Sequence, residues 1–184
     1  MPGPMGNHKG SAFERTICRC LSEWVTEHKR DDVFWRSASS GGLATRRGSR
    51  GSGTQTGDVS LIHPDGHGLL SLFVVECKFY RRFEYDLCVY GQNKTFRDIW
   101  EKVRGEAMAL SRSPFLVCKE NNRRPVVWTD RRGGNLLWLG CKNGVGLSSS
   151  VELSYIGAKC YLLVDILADV NVAQMVALSK GEGA

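Results

Sequence analysis

Three residues of this chain have types and spacing suited to phosphate chemistry: Asp58, Glu76 and Lys78. Glu76 and Lys78 sit at alternate positions near the end of an apolar run, LLSLFVVECKFY, where an unpaired charge is costly to bury. Side chains alternate across a strand, so Leu70, Leu72, Val74, Glu76 and Lys78 would share one face, with Phe73, Val75 and Cys77 on the other. Asp58 opens a second apolar run, DVSLI, and the turn HPDGHG joins the two. A hairpin would set the start of the first strand beside the end of the second, bringing Asp58 to Glu76 with Lys78 next to them. Two carboxylates so placed raise each other's pKa unless positive charge lies between them. A hard divalent cation meets that need, and magnesium favours one or two carboxylates plus substrate phosphates. Lys78 would then orient a water or stabilise negative charge developing on a phosphate. Acidic ligands, a water and a basic group are the parts of metal-assisted phosphodiester hydrolysis. Taken alone, Glu-x-Lys reads more simply as a water-screened pair at a strand end.

The elements that must position these residues alternate between helical and extended patterns, the mark of a mixed α/β domain with a central sheet. Residues 1–10 read as a flexible tail. From Ser11 the chain turns helical, with Phe13, Ile17, Cys20, Leu21 and Trp24 at helix spacing. Ser11 and Glu14 fit a capping box. Glu14, Cys18, Leu21 and Val25 also form one stripe, so the Glu14 carboxylate borders the apolar face, and both roles stay open. A short extended piece, Val33 to Arg36, leads into a long Gly/Ser/Arg segment. Loops of that length in compact domains are usually functional or disordered. After the hairpin, a second amphipathic helix runs from Lys94 to Leu110, and SPFLVCKEN and RRPVVWT read as two more strands. The remainder holds a Gly-rich connection, LLWLG, a strand CYLLVDIL and a final helix from Val170 to Leu178. His63 and His67 flank a turn rather than lie on a helix, so their spacing suits exposed turn residues better than a metal site.

Length and charge bound the rest. At 184 residues and 42% hydrophobic content, the chain suits one domain with a sizeable core. The net charge of +6 is compatible with a polyanionic partner, and its distribution is more telling. Arg36, Arg46, Arg47 and Arg50 fall in one segment that contains no acid, and Lys119, Arg123, Arg124, Arg131 and Arg132 form a second cluster. Solvated loops are the simpler reading of such runs. Seven cysteines without a C-x-x-C pair read as reduced core residues. No apolar run reaches bilayer length, and MPGPMGNHKG lacks the apolar block of a secretory signal. The expectation is a soluble protein of the cytoplasm, the host's if the source is viral, with no membrane or organic cofactor.

Taken together, Gly57-Asp58, VVECK and a preceding helix with Glu14 resemble the PD-(D/E)XK nuclease superfamily, and within it the archaeal-type Holliday junction resolvases, which also occur in compact phage forms. KGSAFER, residues 9–15, matches that family's helix-borne glutamate at Glu14. Arg36, Ser37, Ser39, Ser40, Gly41 and Gly42 match its R-S-x-x-S-G-G loop, and SPFLVCKENNRRPVVW resembles its later strand region. The likeness covers residues 9–128, with 129–184 as a strand and helix extension packed on the same domain. It implies a restriction-endonuclease-like core, a central mixed β-sheet flanked by helices. It also implies metal ligation by Asp58, Glu76, the Cys77 carbonyl and Glu14, with magnesium as the ion and manganese able to substitute. Lys78 would position or activate the attacking water, and Ser39 or Ser40, with Ser40 favoured, would contact the scissile backbone. Arg15, Arg36, Ser39, Arg46, Arg47 and Arg50 would bind DNA phosphates. The implied activity is resolution of four-way junctions by a homodimer, whose two-fold symmetry would match the junction. Trp24, Trp35, Trp100 and Trp138 are candidate interface anchors, with the core as the alternative home for most. Two rivals stay open: a restriction, repair or packaging nuclease acting on linear or flap DNA, and a basic nucleic-acid-binding module without catalysis.

Overall fold

The computed structural model describes residues 5–37, 57–144, 146–147 and 150–181. Helix α1 (Met5–Val25) is amphipathic: Phe13, Ile17, Leu21 and Trp24 recur every three or four residues and all are buried. It starts ahead of Ser11, so Ser11 and Glu14 lie inside the helix. This corrects the capping box, and residues 5–10 carry the helix on ahead of Ser11. Gly6 and Gly10 each cost only about 1 kcal/mol relative to alanine, which does not stop the helix.

Strand β1 (Phe34–Arg36) pairs antiparallel with β2 (Val59–Leu61), with Trp35 opposite Ser60. The expected hairpin between DVSLI and LLSLFVVECKFY is therefore corrected. Pro64–Gly66 form a 3-10 turn, and α2 (His67–Leu72) takes up Leu70 and Leu72 before β3 (Phe73–Tyr80) begins. Proline at the first turn and the His63 side chain accepting from the Asp65 N–H start a helical segment there. Leu69 and Leu72, three apart, supply its buried side.

A short α3 (Tyr85–Val89) and α4 (Lys94–Ala109) follow. The α4 start is capped by Asn93, which accepts from the Phe96 N–H, and its buried face is Phe96, Trp100, Val103 and Ala107. Then come β4 (Ser113–Glu120), β5 (Val126–Asp130), α5 (Arg131–Leu139), β6 (Ser150–Leu153), β7 (Ala158–Leu162), α6 (Leu163–Asp169) and α7 (Val172–Ser179). Among the described residues, five strands form one sheet in the order β3-β4-β5-β7-β6, parallel between β3 and β4 and antiparallel elsewhere. Phe73, Val75, Cys77, Phe115 and Val117 pack with α1 on one face. Leu116, Cys118 and Trp128 pack with Phe96 and Trp100 of α4 on the other. Strands covered on both faces read as continuous apolar runs, which is how β3 and β4 are written. The result is an α/β fold, a mixed sheet between helices, consistent with a restriction-endonuclease-like core.

Two further readings are corrected. CYLLVDIL divides into the end of β7 and the start of α6. The Gly-rich connection and LLWLG form α5, whose Gly133 is required by contact: a Cβ there would lie 1.9 Å from Thr129 Oγ1. Residue 128 falls inside β5, and β7 pairs with β5, so the sheet runs on past that point. All seven cysteines are free, and five of them are buried. No helix among the described residues is long and apolar enough to cross a membrane.

Candidate active site

Strand β3 forms one edge of the five-stranded sheet, and the residues just before β2 lie along its open side. The Asp58 N–H donates to the Val75 carbonyl at 2.9 Å, and Asp58 Oδ2 accepts from the Cys77 N–H at 2.9 Å. So close an approach depends on Gly57. Its φ is +89°, and a Cβ there would lie 2.3 Å from the Val75 carbonyl oxygen. Ser37 ties the other strand of the ribbon to the same point. Its N–H donates to the Asp58 carbonyl and its hydroxyl to the Gly57 carbonyl, each at 2.8 Å. The positions that flank segment 38–56 are thus joined directly.

Val75 and Cys77 fill the α1 side of the sheet, which leaves Glu76 and Lys78 on the alternate positions, in register with Leu116 and Cys118 of β4. Lys78 Nζ lies 2.5 Å from Glu76 Oε1 and 3.9 Å from Asp58 Oδ2. The two carboxylates are 10% and 7% exposed for Asp58 and Glu76, against 31% for the Lys78 side chain, so the acids are inside and the ammonium stands at the mouth. Burial pushes the Asp58 carboxyl up to about 6, aided by the Glu76 charge and opposed by the Cys77 N–H and Lys78. Burial works to depress the Lys78 ammonium, but Glu76 and Asp58 outweigh it and hold the group above the usual lysine range.

Glu14 projects from α1 one turn before the buried Cys18. Its Oε2 accepts from both Nε and Nη2 of Arg36, each at 2.8 Å. Its charge also reaches Asp58, adding to the upward push there. Arg36, expected as a phosphate contact, is thus engaged with Glu14. Among the described residues no three His, Cys, Asp or Glu side chains gather into a metal cage. Asp58 and Glu76 form the acidic focus, with Glu14 held beside them by Arg36. Cys77 gives its N–H to Asp58 and its side chain to the core. Arg15 is exposed on α1. Ser39, Ser40, Arg46, Arg47 and Arg50 lie outside the described residues.

The second basic cluster is split. Lys119, Arg123 and Arg124 stand at the end of β4, while Arg131 and Arg132 begin α5 at the opposite end of β5, about 17 Å away at strand rise. Of the four candidate anchor tryptophans, Trp24 and Trp100 are core residues, whereas Trp35 and Trp138 are exposed. Ser37 and Gly57 belong to the sequence motifs, but the motifs do not assign them the positioning role they have here. A glycine directly before the metal-type aspartate was the available signal for one of them.

A mixed sheet whose edge strand carries Glu-x-Lys, with an aspartate fastened to that strand's backbone, defines a nuclease core of the PD-(D/E)XK class. Residues 6–136 match the family described as "Phage putative PDDEXK endonuclease", and the chain belongs to that family. Searches of curated proteins and of solved structures returned no match.

Proposed function

We propose that the protein is a divalent-metal-dependent endonuclease that resolves four-way DNA junctions, working as a homodimer with one site per protomer. The observation that carries this reading is the burial of Asp58 and Glu76 side by side with Lys78 at the mouth. Two buried carboxylates, one with its pKa pushed up to about 6, are a donor set short of positive charge, and a hard cation fits it. Asp58 and Glu76 would hold magnesium, or manganese in its place, with the Cys77 carbonyl and, once released from Arg36, Glu14 completing the set. When bound, such an ion supplies Lewis-acid polarisation of the phosphate and a more acidic water.

The chain's own groups account for the remainder. The Cys77 N–H fixes Asp58, and Glu76 aims the Lys78 ammonium. Lys78 donates to a phosphate oxygen or to the attacking water. In the reaction, the water oxygen bonds to phosphorus and the P–O bond to the leaving ester oxygen breaks. That oxygen takes up one proton to become a hydroxyl, and the second water proton dissociates from the new phosphomonoester. Arg36 balances the Glu14 charge that borders the site. Arg15, and Arg46, Arg47 and Arg50 with Ser39 and Ser40 of the connecting segment, would grip the backbone around the scissile phosphate.

The choice of a branched substrate rests on the resemblance of Arg36–Gly42 to the resolvase loop. Two-fold pairing of protomers would match two symmetric cuts, with Trp35 and Trp138 as exposed anchors. A second reading, cleavage of linear or flap DNA, is equally compatible with the family description, which names an endonuclease. A binding module without catalysis is disfavoured because Asp58, Glu76 and Lys78 are present and gathered. Cleavage of a synthetic four-way junction beside the matching linear duplex, with magnesium, tests the proposal. Preferential cutting of the junction is expected; equal rates on both would sink the resolvase assignment.

A further inference from the structure

The end of β3 that follows Lys78 carries a concentration of cations that the proposed chemistry does not use. β3 and β4 run parallel and in register, so Phe79 lies beside Lys119 and Tyr80 beside Glu120. The Lys119 ammonium stands 5.9 Å from the Phe79 ring centre, and Phe79 in turn meets Phe13 of α1 edge-on at 5.7 Å. Beyond the strand ends, the Asn121 N–H donates to the Tyr80 carbonyl at 3.2 Å, which fastens the turn after β4 to the end of β3. Arg81 and Arg82 leave β3 at this point. Arg123 and Arg124 occupy the turn that leads back into β5, whose Val126 pairs with Cys118. All four arginines are exposed. Glu84 faces Arg82 at 3.6 Å and Glu120 faces Arg123 at 3.5 Å, so two acids offset part of five cations. Arg81 and Arg124 make no ion pair among the described residues.

We infer that this ridge, Arg81, Arg82, Lys119, Arg123 and Arg124, is a docking track for the sugar–phosphate backbone of a duplex DNA arm leading away from the scissile phosphate. The inference rests on the nuclease reading of the Asp58–Glu76–Lys78 site and adds a named surface to it. The occupant follows from charge and length. Lys78 to Tyr80 spans about 7 Å at strand rise and Arg82 stands two residues further, a reach comparable to a few base pairs of a duplex at about 3.4 Å each. A cluster of exposed arginines suits phosphates, which position without reading sequence. The Lys119–Phe79–Phe13 stack keeps one cation close against the sheet instead of swinging free.

The test is binding of a labelled linear duplex and a single strand of equal length by the full chain, in calcium, over about 50 to 200 mM salt. Arg81→Ala/Arg124→Ala is compared with Arg131→Ala/Arg132→Ala, which removes the same charge at the far end of β5, and thermal melts check that both fold. The ridge variant is expected to lower the slope of log affinity against log salt by about 2 on duplex, with roughly tenfold weaker binding, while the control stays near wild type. Equal losses in both variants, or a loss confined to the single strand, would overturn the duplex track. If the wild type binds neither substrate and cuts none with magnesium, the nuclease reading itself fails, a result separate from an unchanged slope in the ridge variant.

Discussion

The Asp58 carboxylate accepts a hydrogen bond from the Cys77 N–H, so the acid that precedes β2 is fastened midway between Glu76 and Lys78. This bond uses a backbone group on the open side of an edge strand, where the ladder of a sheet would otherwise need a neighbour. It converts a sequence separation of 18 residues between the two acids into one cluster, without a hairpin.

Gly57→Ala should be damaging out of proportion to its size. The new methyl would meet the Val75 carbonyl at 2.3 Å in a backbone conformation that L-residues rarely adopt. The expected cost is about 1–3 kcal/mol, with loss of cleavage because Asp58 shifts away from β3. A thermal melt and a nicking assay check both effects.

Asp58→Asn should stabilise the metal-free protein at neutral pH while abolishing cleavage. The folded pKa of about 6 lies above the ordinary 3.8, so the folded state binds the proton more tightly than the unfolded state. Stability of the wild type therefore falls as pH rises from about 4 to 6 and then levels off. At pH 7 the gain in the variant should be on the order of 1–2 kcal/mol, and it should vanish near pH 4. Melting curves of both proteins in EDTA across that range check the sign.

Arg36→Ala should destabilise by about 1–3 kcal/mol, because it removes the guanidinium 2.8 Å from a carboxylate that is largely buried. Arg36→Ala in a Glu14→Gln background should cost much less. A double-mutant cycle of melting temperatures measures the coupling, and additive effects would mean the pair contributes little.

Calcium should support DNA binding with slow cleavage, since it is larger and less rigidly coordinated than magnesium. A filter-binding and cleavage comparison in the two ions checks this, and brisk turnover in calcium would contradict the proposed metal chemistry.

Much of the site was legible because its residues break patterns. Glu76 and Lys78 are charges in an apolar strand, and Asp58 follows a glycine at the start of another. The route by which they meet was not legible. HPDGHG reads as a hairpin turn, yet Leu69 and Leu72 bury at helical spacing, so the segment became α2 and β2 found β1 instead. Glu14 was placed on the right helix, but its partner Arg36 lies 22 residues away, a pairing that only the packing of α1 against β1 creates. The apolar run CYLLVDIL hid a strand-to-helix change because short apolar segments carry no clear period. The second basic cluster in sequence became two places in space once β5 separated Arg124 from Arg131.

The central claim, that Asp58, Glu76 and Lys78 are a metal-dependent cutting site, is tested most directly by Glu76→Gln. The measurement is the single-turnover cleavage rate of a labelled four-way junction, for variant and wild type, in magnesium and in EDTA. The account predicts cutting by the wild type only with magnesium, and a rate lower by about a hundredfold or more in the variant with DNA binding kept. Equal rates for the two proteins, or wild-type cleavage undiminished in EDTA, would contradict it.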